Sequence, residues 1–238
     1  MLRRSELIFF SRWLRDPLKV GSVLPSGKAL ASMLAKQVPI ADGKYIVELG
    51  GGTGTVTDAL LSTGLDPSRL IIFERDPQFH ARLTERFSDS HVVHGDARDL
   101  GKLLGGMGIE SVGAVVSGLP LLSMSSHVQR PIFEQSFQFL DRDGVFLQFT
   151  YGLTSPVSQS LIQPLGLVAE KLGMIWQNVP PATVWRYTQD RRPEALQVIP
   201  ADREKVSASG SYANISSADK LKASGPVAAK GCTAPAKG

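Results

Sequence analysis

The sequence predicts an α/β fold: a mostly parallel sheet with helices on both faces. Three observations predict it. Short apolar runs alternate with helix-like segments through the middle of the chain. The first of those runs ends directly in a glycine-rich turn. And 42% of the 238 residues are hydrophobic against 20% charged, enough to bury an ordinary core with some chain left over. Strands alternating with helices bury their apolar faces as a parallel sheet covered on both sides.

The elements follow in order. On a helical projection of the first residues, Leu2, Leu7, Phe9, Phe10, Trp13 and Leu14 share one side. Arg4, Ser11, Arg12 and Arg15 share the other, and Arg3, Glu6 and Ile8 break the pattern. A second helix is expected over 28–38, after Pro25-Ser26. The buried run 45–49 reads as the first strand, and 56–61 opens a helix. A strand over 70–74 precedes a helix over 77–87. Residues 91–94 and 112–117 read as further strands, then 130–140 as a helix and 145–150 as a strand. Residues 168–172 read as helical, and 174–177 with 182–187 as a closing pair of strands.

Charge is unevenly spread. The net charge is +4, yet residues 1–20 carry +3 and residues 201–238 another +3, leaving 21–200 at −2. A domain coated for nucleic acid would carry its basic charge on the body, so no nucleic-acid partner is expected. The one cysteine, Cys232, excludes an intrachain disulfide. No metal is expected either: His91 and His94 are spaced to point to opposite faces of a strand. No apolar stretch approaches the roughly 20 residues of a membrane span, and no secretory leader is evident. Residues 199–238 are rich in Ala, Ser, Gly and Lys, a composition expected to stay disordered.

The strongest motif is Glu48-Leu49-Gly50-Gly51-Gly52-Thr53-Gly54, directly after the first strand. Glycines there allow a tight turn and close approach of the backbone to a ligand, at the strand end where open parallel sheets bind ligands. A dinucleotide fingerprint would need glycine at position 55, which is Thr55, and no Gly-Lys-Ser/Thr follows as in a phosphate loop. Carboxylates stand at two later strand ends: Glu74, and Asp96 within Gly95-Asp96-Ala97.

This constellation resembles the class I S-adenosylmethionine-dependent methyltransferases. The resemblance implies a Rossmann-like fold with a seven-stranded, mostly parallel sheet, its last strand antiparallel, and an N-terminal helical extension. It implies S-adenosylmethionine as cofactor, held by Glu48, Gly50, Gly52, Thr53, Gly54, Glu74, Asp96 and Ala97. Glu74 would accept from the ribose hydroxyls and Asp96 from the adenine amine. The segment Ser117-Gly118-Leu119-Pro120 takes the place of the loop that amine-directed members use to orient the amine, so Ser117 and Gly118 are catalytic candidates. Tyr151 is a third, as a pocket wall facing cationic products.

Further segments narrow the resemblance to bacterial soluble phospholipid N-methyltransferases. These are 9–14, 23–30, 116–122, 148–152 and 178–185. The resemblance implies methylation of phosphatidylethanolamine toward phosphatidylcholine, with an ornithine-lipid or ribosomal-RNA adenine methylase as the alternative activities. A non-enzymatic membrane scaffold is the remaining alternative. It divides the chain into a membrane-contacting segment 1–40, a methyltransferase domain 41–198 and a tail 199–238. A basic amphipathic helix docks on an anionic surface, so Arg4, Phe9, Arg12, Trp13 and Arg15 are expected to touch lipid. Lys19, Ser22 and Lys28 are candidates for the head-group phosphate. The expected location is the cytoplasm, at the inner face of the membrane.

Overall fold

The computed structural model describes residues 26–40, 43–151, 153–176 and 181–191. The proposed lipid contacts from Arg4 to Ser22, and the expected disordered tail, lie outside the described residues.

Helix α1 (Ser26–Lys36) precedes strand β1 (Ile46–Leu49), α2 (Thr55–Leu61) and β2 (Leu70–Glu74). Then come α3 (Pro77–Arg86), β3 (His91–His94), α4 (Leu100–Gly106) and β4 (Val112–Ser117). The chain continues through α5 (Ser126–Phe139), β5 (Leu140–Thr150), the single turn α6 (Gln159–Ile162), β6 (Leu167–Ile175) and β7 (Ala182–Gln189). The seven strands form one sheet in the order β3-β2-β1-β4-β5-β7-β6. The pairings from β3 to β5 are parallel, and β7 runs antiparallel to both its neighbours. Strands β1 to β6 therefore all end at one edge of the sheet.

Period-two alternation sorts the side chains between two cores. Val47, Leu49, Val115 and Phe146 face one side, where Phe133 and Phe137 of α5 pack with Tyr187. The Phe133 and Phe146 rings lie 4.5 Å apart, and Tyr187 meets Phe133 edge-on. Ile46, Ile72, Val116 and Leu147 face the other side, against Leu30 and Leu34 of α1, Leu60 of α2 and Leu83 of α3.

Two expectations are corrected. Residues 168–172 are not helical; they belong to β6, which pairs with β7 from Leu167 opposite Gln189 to Ile175 opposite Ala182. Ala, Glu, Lys and Leu favour a helix locally, but the hairpin pairing satisfies the backbone and wins. Gly166, at φ 64°, stops the preceding turn. Helix α5 also begins four residues before the expected Arg130, despite Pro131 within it. Its first turn is anchored by buried Gln129, whose Nε2 donates to the carbonyls of Leu121 and Met124 at 2.7 and 3.1 Å.

Candidate active site

The turn after β1 is tied to β2 by its own backbone. The N–H groups of Gly50 and Gly51 donate to the Phe73 carbonyl at 2.8 and 3.2 Å. Gly52 has φ 52°, and a Cβ there would enter open space. Among the glycines of the turn it is the one whose backbone stands bare toward open space rather than a neighbour. Its N–H donates to Glu74 Oε2 at 2.8 Å, and Glu74 Oε1 accepts from the Asp76 N–H at 2.7 Å. The glycine turn and the end of β2 are thus held together through one buried carboxylate.

From α3, Arg86 Nη1 donates to the Thr53 carbonyl at 3.0 Å. Thr53 itself is exposed, its Oγ1 3.0 Å from that of Thr55. A Cβ on Gly54 would strike the Phe87 ring at 2.6 Å, so that glycine closes the turn against the fold. A bare Gly52 beside a strand-end carboxylate is a cradle of the kind S-adenosylmethionine requires, and these residues fit it.

Glu48 is fully buried on the α1–α3 side of β1. Thr57 Oγ1 of α2 donates to its Oε2 at 2.7 Å. Desolvation, partly offset by that hydrogen bond and reinforced by the nearby Glu74 charge, pushes its carboxyl up to about 8. Asp96 is differently employed. Its Oδ1 accepts from the N–H and Nε of Arg98, and its Oδ2 from Arg98 Nη2 at 3.0 Å. The Arg98 hydrogen bond holds its carboxyl below the usual range. Both Asp96 oxygens are therefore engaged with Arg98, so a contact with an adenine amine must share or displace that pair. Ala97 is buried just beyond it.

The segment after β4 lies against the glycine turn. The Gly118 N–H donates to the Leu49 carbonyl at 2.8 Å. A Cβ on Gly118 would sit 2.9 Å from the Gly50 carbonyl oxygen, so only glycine lets the two backbones approach this closely. Gly118→Ala is expected to cost about 1–3 kcal/mol in stability, by overpacking, and to lower methyl-transfer activity. Urea denaturation and turnover check it; an unshifted midpoint with full activity would count against this contact. Ser117 is buried, its Oγ accepting from the Leu119 N–H at 3.3 Å.

Tyr151 is brought to the other face. It packs with Phe149 edge-on at 5.7 Å, on the α1 side, while Ser117 faces α5. Burial pushes its phenol up to about 12, so it keeps its proton at neutral pH and is no general base. Lys28 is exposed on α1.

Two residues given no role from the sequence sit beside Ser117. Gln148 is its register partner on β5, and its Nε2 donates to the Leu119 carbonyl at 3.0 Å. Thr150 follows on the same face. The available signal was two polar residues, at period two, in the apolar run Val145–Thr150 that ends the strand. Neither is charged, and both lie in the segment 148–152 that carries the resemblance without being assigned a role there.

Leu122, Leu153 and Trp176 are 39%, 68% and 74% exposed. They follow β4, β5 and β6, so three of the five exposed large apolar side chains among the described residues emerge at the edge where the glycine turn lies; Ile40 and Met107 precede β1 and β4, toward the other edge. Among the described residues no helix is long and apolar enough to cross a membrane.

No family model matches the chain. It is 36% identical to the ornithine lipid N-methyltransferase of Singulisphaera acidiphila over 146 residues, 60% of this chain and 76% of that protein. A shorter match, 38% over 66 residues, joins it to a probable ribosomal RNA small subunit methyltransferase A of Natronomonas pharaonis. That match spans 25% of this chain and 23% of that protein. Among solved structures, a TehB-like SAM-dependent methyltransferase of Corynebacterium glutamicum shares the fold with a TM-score of 0.51 at 15% identity. The alignment covers 79% of this chain and all of that one. The CurJ carbon methyltransferase does so with a TM-score of 0.53 at 14% identity, over 74% and 58% of the two chains. The class I fold expected from the motifs is the fold observed.

Proposed function

Because the chain belongs to the methyltransferase family of the Singulisphaera ornithine lipid N-methyltransferase, we propose that it methylates the head-group amine of a membrane lipid. The methyl donor is S-adenosylmethionine. The finer expectation from the sequence was phosphatidylethanolamine. The relative carries the name of its alternative, so ornithine lipid is the first acceptor to test and phosphatidylethanolamine the second. The observation that carries a lipid reading is the apolar rim of Leu122, Leu153 and Trp176 at the site's own edge. The aliphatic Leu122 and Leu153 offer nothing to a polar substrate such as RNA, whereas a bilayer surface takes up such side chains.

In this reading Gly50, Gly52, Thr53, Gly54, Glu48, Glu74, Asp96 and Ala97 hold the cofactor, with Gly52 and Glu74 as the centre of the cradle. When bound, the cofactor would supply an electrophilic methyl to the neutral amine, leaving as the uncharged thioether while the amine's displaced proton goes to water. The protein's part is orientation. Ser117 and Gly118 set the backbone against the glycine turn, so the acceptor is held in line with the donor. The basic residues Arg4, Arg12, Arg15 and Lys19, with Phe9 and Trp13, would add attraction to an anionic surface, and Ser22 and Lys28 would meet the phosphate or carboxylate of the head group.

The test is methyl transfer from labelled S-adenosylmethionine to liposomes containing ornithine lipid, liposomes containing phosphatidylethanolamine, and ribosomal RNA. Label in the lipid extract is expected, with ornithine lipid the better acceptor. Label in RNA alone would overturn the lipid reading.

A further inference from the structure

Three buried polar atoms stand without a hydrogen-bond partner among the described residues on one patch of the sheet: Gln148 Oε1, Thr150 Oγ1 and Trp185 Nε1. The patch is a single surface. Phe146 faces the α5 side, so Gln148 and Thr150 face it too, about 6.6 Å apart along the strand. Trp185 lies opposite Gln148 on β7 and packs on the same core. Gln148 is 1% exposed and Thr150 4%.

The orientation of the Gln148 amide is not arbitrary. Its Nε2 is 3.0 Å from the Leu119 carbonyl oxygen and 2.7 Å from that of Phe149. Two acceptors demand the NH2 on that side, which turns Oε1 the other way. Gln148 therefore clasps the segment that follows Ser117 and presents an unused acceptor beside it. Leaving a buried acceptor unmet is costly, and such exceptions need a reason.

We propose that Gln148 Oε1 and Thr150 Oγ1 are the catalytic acceptors for the N–H groups of the amine being methylated. The inference rests on the lipid-amine reading above and names the residues that recognise its substrate. Both acceptors are uncharged. A carboxylate in their place would stabilise the ammonium form, which has no lone pair to donate. An amide oxygen and a hydroxyl in a dry setting hold the neutral amine and leave its lone pair available. The count of N–H groups then matters. A neutral primary amine has two, its monomethyl product one, and its dimethyl product none, because each transfer replaces one N–H by N–CH3 and sends the proton to water.

The test is Thr150→Val, which keeps the side chain's shape, assayed on full-length protein. The acceptors are liposomes of the unmethylated, monomethyl and dimethyl forms of whichever lipid the wild type accepts. The expected kcat/KM falls by about tenfold on the unmethylated lipid, the worth of about one hydrogen bond. It falls less on the monomethyl form and not at all on the dimethyl form. S-adenosylhomocysteine affinity is expected to hold, and Tm to stay or rise, because an unmet hydroxyl has been removed. Gln148→Met is expected to show the same gradient above a uniform loss from freeing the Leu119 segment. Equal losses on all three acceptors, no loss on any, or a marked drop in Tm for Thr150→Val would overturn this inference alone. A wild type that labels no lipid amine would overturn the lipid reading, and this inference with it.

Discussion

Glu74→Ala is expected to weaken binding of S-adenosylhomocysteine at least about a hundredfold, measured by titration calorimetry. The size follows from the geometry. The carboxylate ties the cradle together by accepting from the Gly52 and Asp76 N–H groups at 2.8 and 2.7 Å, and the charge-assisted hydrogen bonds it would accept from the ribose hydroxyls are worth about 1.5–3 kcal/mol each. Alanine leaves both donors unmet and frees the bare backbone at Gly52 from the end of β2. It also removes the acceptor proposed for the ribose. Glu74→Gln retains the shape but turns an NH2 toward one of two N–H donors, so it should recover only part of the loss. A circular dichroism spectrum matching wild type would show that the loss is one of binding. Unchanged affinity in a folded Glu74→Ala would remove Glu74 from the cofactor site.

The second large effect is a pH dependence of stability set by Glu48. Its carboxyl lies near 4.5 in the unfolded chain and is pushed up to about 8 in the fold, chiefly by burial. Between those values the folded state binds the proton and the unfolded state does not. Stability therefore falls as pH rises through that window, and it is flat below 4.5 and above about 8. Glu48→Gln keeps an acceptor for Thr57 Oγ1 without the charge. The difference between the variant's melting curve and the wild type's should be small at pH 5. By pH 9 it should favour the variant by a few kcal/mol. Taking the difference cancels the other titrating groups. Parallel curves across the window would show that Glu48 is ionised in the fold.

Much of the frame was legible. Strands β1, β2, β3 and β4 were found nearly to the residue, because β1, β2 and β4 are short buried runs and β3 a half-buried Val92-Val93 pair, each a signal contained within a few positions. The glycine turn was legible because a strand end running into glycines permits close approach of a ligand, and Glu74 was legible through the resemblance, as a carboxylate at the end of the next strand. Other features were not local. Residues 168–172 have a helix-former's composition and became β6 only because β7 lies beside them. Asp96 reads as an open carboxylate until Arg98 is seen closing on both its oxygens. Tyr151 was a fair pocket candidate in sequence, yet register places it on the opposite face from Ser117. Gln148 lies in a segment that carries the resemblance, but its own part was not legible, since it depends on two carbonyls, one of them 29 positions away.

By itself, then, the sequence determined the mostly parallel sheet, the glycine turn and the strand-end carboxylates, while its antiparallel last strand came only from the resemblance to a family. Periodicity, turn chemistry and motif spacing act over a few residues and survive without knowing what packs against them. Only the tertiary structure decided which face each side chain occupies, which carboxyl is pushed up by burial, and which buried acceptors are left unmet. Those depend on desolvation and on partners distant in the chain. The uneven +4 charge drew attention to the ends of the chain; the fold turned it to one edge of the sheet, where the glycine turn, the Ser117 segment and an exposed apolar rim come together.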